Sequence, residues 1–308
     1  MTAARRADRL APYLLISPFL LIFSVFGVFP IAFSLYLVFQ DWDPVQGLQS
    51  MEYVGLGNLS FALEDPLVWT SLGNTLWLAV ASGVPQHVVA IPLAYFINEH
   101  LGRWRNVAMG AYFLPYITST VAIAIMFSTL FSKDYGAVNV ALQSLSQASW
   151  LAAWLPQNSI DWLGSPDTIK PVVALVVFWR YVGFNVVLYV AAMQSIPRDL
   201  YEAAAMDGAQ GWKTFWFITL PQLRPMMYFG VTLTLIGGLQ LFEEPYILTG
   251  AKGGTEYAGM TTAMYMYRTA FEFNDFGLAS AMSWMLFAVI VVLTLITNRA
   301  FKPKDQTS

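Results

Sequence analysis

"YEAAAMDGAQGWKTFWFITLPQLRP", residues 201–225, is a polar, helix-forming island in a chain where charge is scarce. It carries Glu202, Asp207, Lys213 and Arg224, while Pro171 to Ile196 before it and Met226 to Phe242 after it are almost wholly apolar. The chain has 308 residues, of which 57% are hydrophobic and 11% charged. A soluble globular domain carries about 25% charged residues, so this chain lacks the charge to coat a water-facing surface. A hydrocarbon core about 30 Å thick takes roughly 20 apolar helical residues to cross. Leu14 to Gln40, Thr70 to Asn98, Val107 to Phe131 and Phe276 to Asn298 are uncharged. Pro171 to Ile196 carries only Arg180, and Pro225 to Gly250 only Glu243 and Glu244. Barrel strands would be shorter and would alternate apolar with polar. The expected fold class is therefore an all-α, polytopic integral membrane protein with six transmembrane helices.

Charge placement orients the spans. With the N-terminus in the cytoplasm, the inner segments hold Arg5, Arg6, Arg9, Arg103, Arg105, Arg198, Lys213, Arg224, Arg299, Lys302 and Lys304, which is eleven of the 16 basic residues. The first outer loop, Asp41 to Trp69, has five acidic residues and no basic one. This positive-inside bias places both termini in the cytoplasm and the island at the inner face. The apolar run after Arg9 is too long for a secretory signal and no small-residue cleavage site follows it, so the first span is expected to be retained. The resulting division is a tail at 1–13, a first transmembrane helix at 14–40, a five-helix transmembrane domain at 71–298 with an inner loop at 196–224, and a tail at 299–308, charged and frayed from Lys302.

Other features narrow the chemistry. There is no cysteine, hence no disulfide framework, iron–sulfur cluster or thiolate zinc site. His87 and His100 are the only histidines, neither with a ligand-spaced partner, so no metal, catalytic residue or cofactor is expected. Nothing suggests nucleic acid. The outer stretch "SWLAAWLPQNSIDWLG", residues 149–164, is rich in tryptophan and expected to lie along the outer membrane surface, as an anchor or as a landing surface for a partner. Prolines recur in or beside the spans, among them Pro85, Pro92, Pro115 and Pro245, each a potential kink. Gly230, Gly237 and Gly238 permit close helix approach.

The island itself starts after Ser195-Ile196-Pro197, runs through "RDLYEAAAM" as a good helix former, turns at Asp207-Gly208 and resumes at Trp212. Slim Ala203, Ala204 and Ala205 suit insertion of this helix into a groove on another protein.

Glu202-Ala203-Ala204, three residues, Gly208, nine residues, Ile218, one residue, Leu220-Pro221 resembles the EAA loop of binding-protein-dependent ABC importer permeases. "LYVAAMQSIPRDLYEAAAMDGA" (188–209) and "PYILTGAKGGTE" (245–256) are similar to the carbohydrate-uptake branch, near its maltose-type first permease and glycerol-phosphate-type permease. The branch shows a Gly-Gly-Gly-Pro-like run where this chain has Gly250-Ala251-Lys252-Gly253-Gly254. The resemblance implies a prokaryotic inner-membrane permease that moves a sugar by alternating access. The sugar would be delivered by an extracytoplasmic solute-binding protein. A second permease subunit, as a heterodimer, two copies of a cytoplasmic ATPase and membrane lipid would be its other partners. Glu202, Ala203, Ala204, Asp207 and Gly208 would form the ATPase-coupling surface. The chain has no phosphate-binding loop of the G-x-x-x-x-G-K-[ST] type, so ATP hydrolysis would belong to a partner and the chain itself would not be an enzyme.

Polar groups within spans are costly and usually functional. Tyr181, Asn185 and Tyr189 share one face of the fourth span; Thr234, Gly237, Gln240 and Glu244 share one of the fifth. With Tyr246 nearby, Tyr181, Asn185, Tyr189, Gln240, Glu244 and Tyr246 are the expected sugar-binding residues, unless these stripes serve only to bond helix to helix. Arg180 lies about 13 Å below the outer end of its span and Glu243 and Glu244 roughly 10 Å below theirs, so an intramembrane ion pair is expected, with Glu243 favoured over Glu244; Arg180 snorkelling to lipid phosphate is the competing expectation. An ion-coupled secondary transporter using Arg180, Glu243 and Glu244 is the alternative function. The orientation is checked by single cysteines on this cysteine-free background: replacements of Gln46 and Ser159 are expected to react with an impermeant maleimide outside intact cells, and a replacement of Gln210 is not.

Overall fold

The computed structural model of the protein describes residues 2–147, 156 and 158–301, with residues 2–12 described by their backbone alone. The helices are α1 (Thr2–Phe23), α2 (Phe29–Leu37), α3 (Gly57–Glu64), α4 (Pro66–His100), α5 (Arg105–Ile117), α6 (Thr120–Leu130), α7 (Ala137–Ser146), α8 (Pro166–Gln194), α9 (Arg198–Met206), α10 (Trp212–Thr214), α11 (Leu220–Gln222), α12 (Arg224–Leu239), α13 (Glu243–Thr249), α14 (Thr262–Phe271) and α15 (Phe276–Phe301). Two-residue strands β1 (Gln40–Asp41) and β2 (Glu52–Tyr53) pair antiparallel. The chain is an all-α membrane protein.

Among the described residues, four helical stretches are long and apolar enough to cross a membrane unbroken: Tyr13–Leu37, Pro66–His100, Pro166–Gln194 and Phe276–Phe301. The other two expected spans are each broken. Gly102–Ile117 meets Thr120–Leu130 at 90°, and Arg224–Leu239 meets Glu243–Thr249 at 41°. The breaks do not sit at the prolines. Helix α4 runs through Pro85 and Pro92, and α5 through Pro115. The helix that carries the first span starts at Thr2, ahead of the apolar stretch, and passes through a wide turn at Ser24–Val28 before ending at Leu37. The expected interfacial stretch at 149–164 falls partly on residues 148–155 and 157, and the expected frayed tail on 302–308; both lie outside the described residues. Trp162 is described, and its indole donates to Asn139 Oδ1 at 3.0 Å.

Contact density divides the chain into two units, Met1–Asp65 with Met266–Met285, and Pro66–Tyr265 with Leu286–Ser308. In the first unit, Asn58 Nδ2 donates to the carbonyls of Val38 and Gln40 at 3.0 and 2.8 Å, closing the turn after α2. Trp42 packs on Phe276 with centroids 5.7 Å apart. Asp275 caps α15 by accepting from Leu278 N at 2.8 Å, and burial raises its carboxyl above the usual range.

The second unit is organised by α4 and α8. Ala90, Ala94 and Ile97 of α4 meet Val186, Tyr189, Val190 and Met193 of α8, all buried, and Phe215 and Leu223 close this cluster from the island side. A second cluster joins Leu78, Val173, Val176 and Val177 to Ile123, Ala124 and Phe127 of α6 and to Leu241 and Leu248. Lipid is as apolar as these side chains, so association rests on tight van der Waals packing, which small residues allow. At Gly183 the backbone of α5 passes so close that a Cβ would overlap the Tyr112 carbonyl, and at Gly238 a Cβ would lie 2.9 Å from Ala79 Cβ. The loop after α13 is held rigidly. Gly250, Gly253 and Gly254 take positive φ, as do Glu256 and Tyr257. Asn74 Nδ2 clamps the loop by donating to the carbonyls of Tyr257 and Met260 at 2.9 and 3.0 Å, and Lys170 Nζ donates to Asn74 Oδ1 at 3.2 Å. Gly183→Val is expected to force α5 off α8 at a cost of about 1–3 kcal/mol or more, read as a lowered melting temperature in detergent, whereas Gly237→Ala, which meets open space, leaves it unchanged.

Candidate functional site

Three places in the second unit concentrate polar groups. The first is a cavity of about 250 Å³ between α4, α5, α8 and α12. Ser82 and Gln86 of α4 and Tyr181 and Asn185 of α8 face it, with Tyr116 and Phe184 as aromatic wall. Tyr116 stacks on Phe184 with centroids 4.8 Å apart and meets Tyr181 edge-on at 5.8 Å. Asn185 Nδ2 donates to Gln86 Oε1 at 3.1 Å. Asn185 is 1% exposed, and its Oδ1 is buried with no protein donor. A buried amide acceptor left open costs about 1–3 kcal/mol unless something fills it. A small-ligand site has this character: flat apolar walls with a few placed hydrogen-bonding groups.

A second cavity, of about 480 Å³, lies where the two broken spans come together. It is lined by Thr118, Ser119 and Thr120 from the break between α5 and α6, by Glu243 and Tyr246 of α13, and by Arg180 of α8. Tyr116 borders both cavities. Non-helical backbone at membrane depth is tolerated where protein covers it or it lines a cavity open to water, and this break lines a cavity.

The expected residues divide as follows. Tyr181 and Asn185 line the smaller cavity and Tyr246 the larger. Glu244 is 2% exposed and reaches the smaller cavity only through Tyr181, whose hydroxyl donates to Glu244 Oε1 at 3.4 Å. Tyr189 is fully buried below the cavity, with its hydroxyl 2.7 Å from His87 Nδ1. Gln240 is exposed at the C-cap of α12 and lines neither cavity. Its expected helical stripe with Glu244 fails because Phe242, at φ −131 and ψ −56, interrupts the helix between them. The same interruption decides the ion pair. Arg180 Nη1 donates to Glu244 Oε1 at 2.5 Å, while the favoured Glu243 is turned out to the exposed side. Snorkelling is not seen, since the Arg180 side chain is only 12% exposed.

Sequence reasoning missed Ser82, Gln86, Tyr116 and Phe184, and left His87 without a partner. His87 Nε2 lies 3.1 Å from Thr234 Oγ1, so His87 ties α4 to both α8 and α12. The usable signal was the i, i+4 spacing of Ser82 and Gln86 in an otherwise apolar span.

The third polar place is the island. Helix α9 ends at Met206, and the turn is closed by Gly208 N donating to Ala205 O at 3.1 Å and Ala209 N to Ala204 O at 2.8 Å. Gly208 has φ +78, a left-handed conformation that favours glycine. Ala204 is buried, whereas Glu202, Ala203, Met206, Asp207 and Gly208 are exposed on one edge. Tyr95 of α4 donates to Gly211 O at 3.0 Å, and the Tyr201 and Thr219 hydroxyls lie 3.2 Å apart. Burial pushes the Tyr201 phenol up from its ordinary range, so it stays neutral. The island is thereby tied to the end of α4. Breaking the Arg180–Glu244 pair from one side strands a buried charge, at about 3–5 kcal/mol. Glu244→Gln is expected to lower the melting temperature in detergent sharply, and Arg180→Met with Glu244→Leu to recover most of the loss.

Residues 88–304 match the family described as binding-protein-dependent transport system inner membrane component. The chain is 34% identical over 292 residues to the arabinooligosaccharides transport system permease protein AraP of Bacillus subtilis, covering 94% of this chain and 88% of the relative. It is 33% identical over 285 residues to the lactose transport system permease protein LacF of Rhizobium radiobacter, covering 92% and 91%. The fold matches a chain of the crystal structure of a bacterial alginate ABC transporter in complex with an alginate pentasaccharide-bound periplasmic protein, with a TM-score of 0.79, 24% identity and coverage of 97% of this chain and 96% of that one. This chain belongs to the family of binding-protein-dependent transport system inner membrane components, and is a multi-pass permease subunit of an ABC importer.

Proposed function

We propose that this chain passes a sugar, of the oligosaccharide class or a related carbohydrate, across the inner membrane by alternating access driven by a separate ATPase. The observation that carries the substrate class is the smaller cavity, where the unfilled Asn185 Oδ1 and the Gln86 amide stand between Tyr116, Tyr181 and Phe184. Sugar rings present apolar faces and hydroxyl edges, which match aromatic walls and amide groups. Relatives named for arabinooligosaccharide and lactose transport support the same reading.

In this scheme the solute-binding protein releases its sugar from the outer side, past Arg180, Glu243 and Tyr246, into the smaller cavity. A second permease subunit, forming a heterodimer, would complete the path. The exposed edge Glu202, Ala203, Asp207 and Gly208 would seat in a cleft of one of two ATPase copies, with buried Ala204 holding the helix to its own subunit. Closure of the ATPases would move the island and, through Tyr95 and Phe215, α4. Both termini would lie in the cytoplasm. The ion-coupled alternative loses its main support, because Arg180 and Glu244 neutralise each other.

The test uses the reconstituted transporter with its ATPase and binding protein. Gly208→Pro and Glu202→Lys are expected to leave membrane insertion intact while abolishing sugar-stimulated ATP hydrolysis and uptake. Asn185→Leu is expected to cut uptake at least tenfold, the scale of one lost hydrogen-bonding group, with basal ATP hydrolysis retained. Wild-type uptake in the Gly208 and Glu202 variants would remove the coupling role, and wild-type uptake in Asn185→Leu would remove the sugar site.

A further inference from the structure

Beside the island lies a third cavity, of about 580 Å³, at the point where α4 and α8 end. Asn98, Glu99, Arg105, Gln194, Arg198 and Glu202 line it. Two guanidinium groups and two carboxylates thus share one space, yet none of the four forms an ion pair with a described residue. Arg105 Nε is buried with no acceptor, and its Nη1 reaches Asn98 Oδ1 only at 3.4 Å. Glu99 is held by Asn98 Nδ2 at 2.9 Å. The coupling role accounts for Glu202. It leaves Asn98 and Glu99 at the end of α4, Arg105 at the start of α5 and Arg198 at the start of α9 without a use.

The surroundings are those of a membrane interface. Trp104 is 58% exposed, with the Arg103 guanidinium 5.7 Å over its ring. Trp212 and Trp216 are exposed on the adjoining island. Tryptophan and arginine collect at headgroup level. A guanidinium with an open N–H edge fits a phosphate. A simple anion would meet two carboxylates along with the two arginines, so the mixed lining favours a group that carries both signs.

We propose that this cavity holds the headgroup of an ethanolamine phospholipid, with its phosphate on Arg105 and Arg198 and its protonated amine toward Glu99. A primary ammonium has N–H groups to donate to a carboxylate and a choline headgroup has none, which sets the expected selectivity. A lipid seated there would brace the α4–α5 turn against the start of α9. The leaflet follows from the proposed orientation; the binding chemistry does not depend on it.

The transporter with its ATPase bound is reconstituted in nanodiscs of phosphatidylcholine mixed with either phosphatidylethanolamine or phosphatidylglycerol, and retained lipid is counted by native mass spectrometry. One ethanolamine lipid per copy of this chain is expected to survive delipidation, with choline and glycerol lipids about tenfold less. Arg105→Gln is expected to lower ethanolamine-lipid occupancy about tenfold. Glu99→Gln is expected to let the choline lipid compete equally, a readout that a merely unfolded turn would not give. Equal retention of all three lipids by the unmodified chain, or an unchanged adduct in Arg105→Gln, would overturn the proposal. Displacement by soluble phosphoethanolamine at equal concentration would overturn the lipid source in favour of a soluble ligand. Absence of any adduct in the ATPase-bound complex would overturn it in favour of the ATPase filling the cavity.

Discussion

Hydrocarbon offers no partner to a backbone N–H or C=O, so a membrane chain must satisfy each of these groups itself. That constraint makes the two broken spans the organising feature of this protein. At the break after α12, Gln240 N donates back to the carbonyls of Ile236 and Gly237, and Thr261 Oγ1 takes the Leu241 carbonyl at 2.8 Å. At the break after α5, Thr118 Oγ1 turns back to Leu114 O at 2.8 Å, and Ile123 N bonds Ser119 O. Hydroxyl side chains thus do at the breaks what continued helix does elsewhere. Both breaks line the larger cavity, where water can reach the groups that remain.

The Arg180–Glu244 pair belongs to the same economy of charge. Arg180 stands on unbroken α8, and Glu244 is the second residue of α13, just past a break. A charge of either sign at this depth is costly alone, so pairing fixes the position of the short helix relative to the long one. Above the pair, Glu243 and Tyr246 face the larger cavity; beside it, Tyr181 links to the smaller one. The pair therefore borders the proposed path of the sugar.

From the smaller cavity to the island runs a connected set of contacts along α4. Gln86 bonds Asn185, the adjoining His87 bonds Tyr189 and Thr234, and Tyr95 bonds Gly211 and packs on Phe215 at 5.0 Å. One helix thus carries a cavity-facing amide, a three-helix polar knot and the island's anchor. Such a helix can transmit displacement over a distance of several turns, because close-packed elements move as units rather than deforming smoothly.

What the sequence by itself determined was whatever depends on local composition: six apolar segments, their charge asymmetry, the absence of thiol chemistry, and the island with its glycine turn at Gly208. Bilayer thickness and backbone stereochemistry act on consecutive residues, so a single chain displays them. The cavity walls were only half legible. Tyr181 and Asn185 stood out as polar groups in an apolar span, but Tyr116 and Phe184 look like any other membrane aromatic until α5 crosses α8 at Gly183. Gln240 and Glu243 were misplaced because helical spacing was carried across Phe242, where the helix stops. Partner choice for Arg180, the tie of His87 to two other helices, and the open Asn185 oxygen were decided by tertiary structure alone. They depend on which faces of distant helices meet, and in lipid that is settled by the close packing of small residues rather than by a hydrophobic pattern readable along the chain.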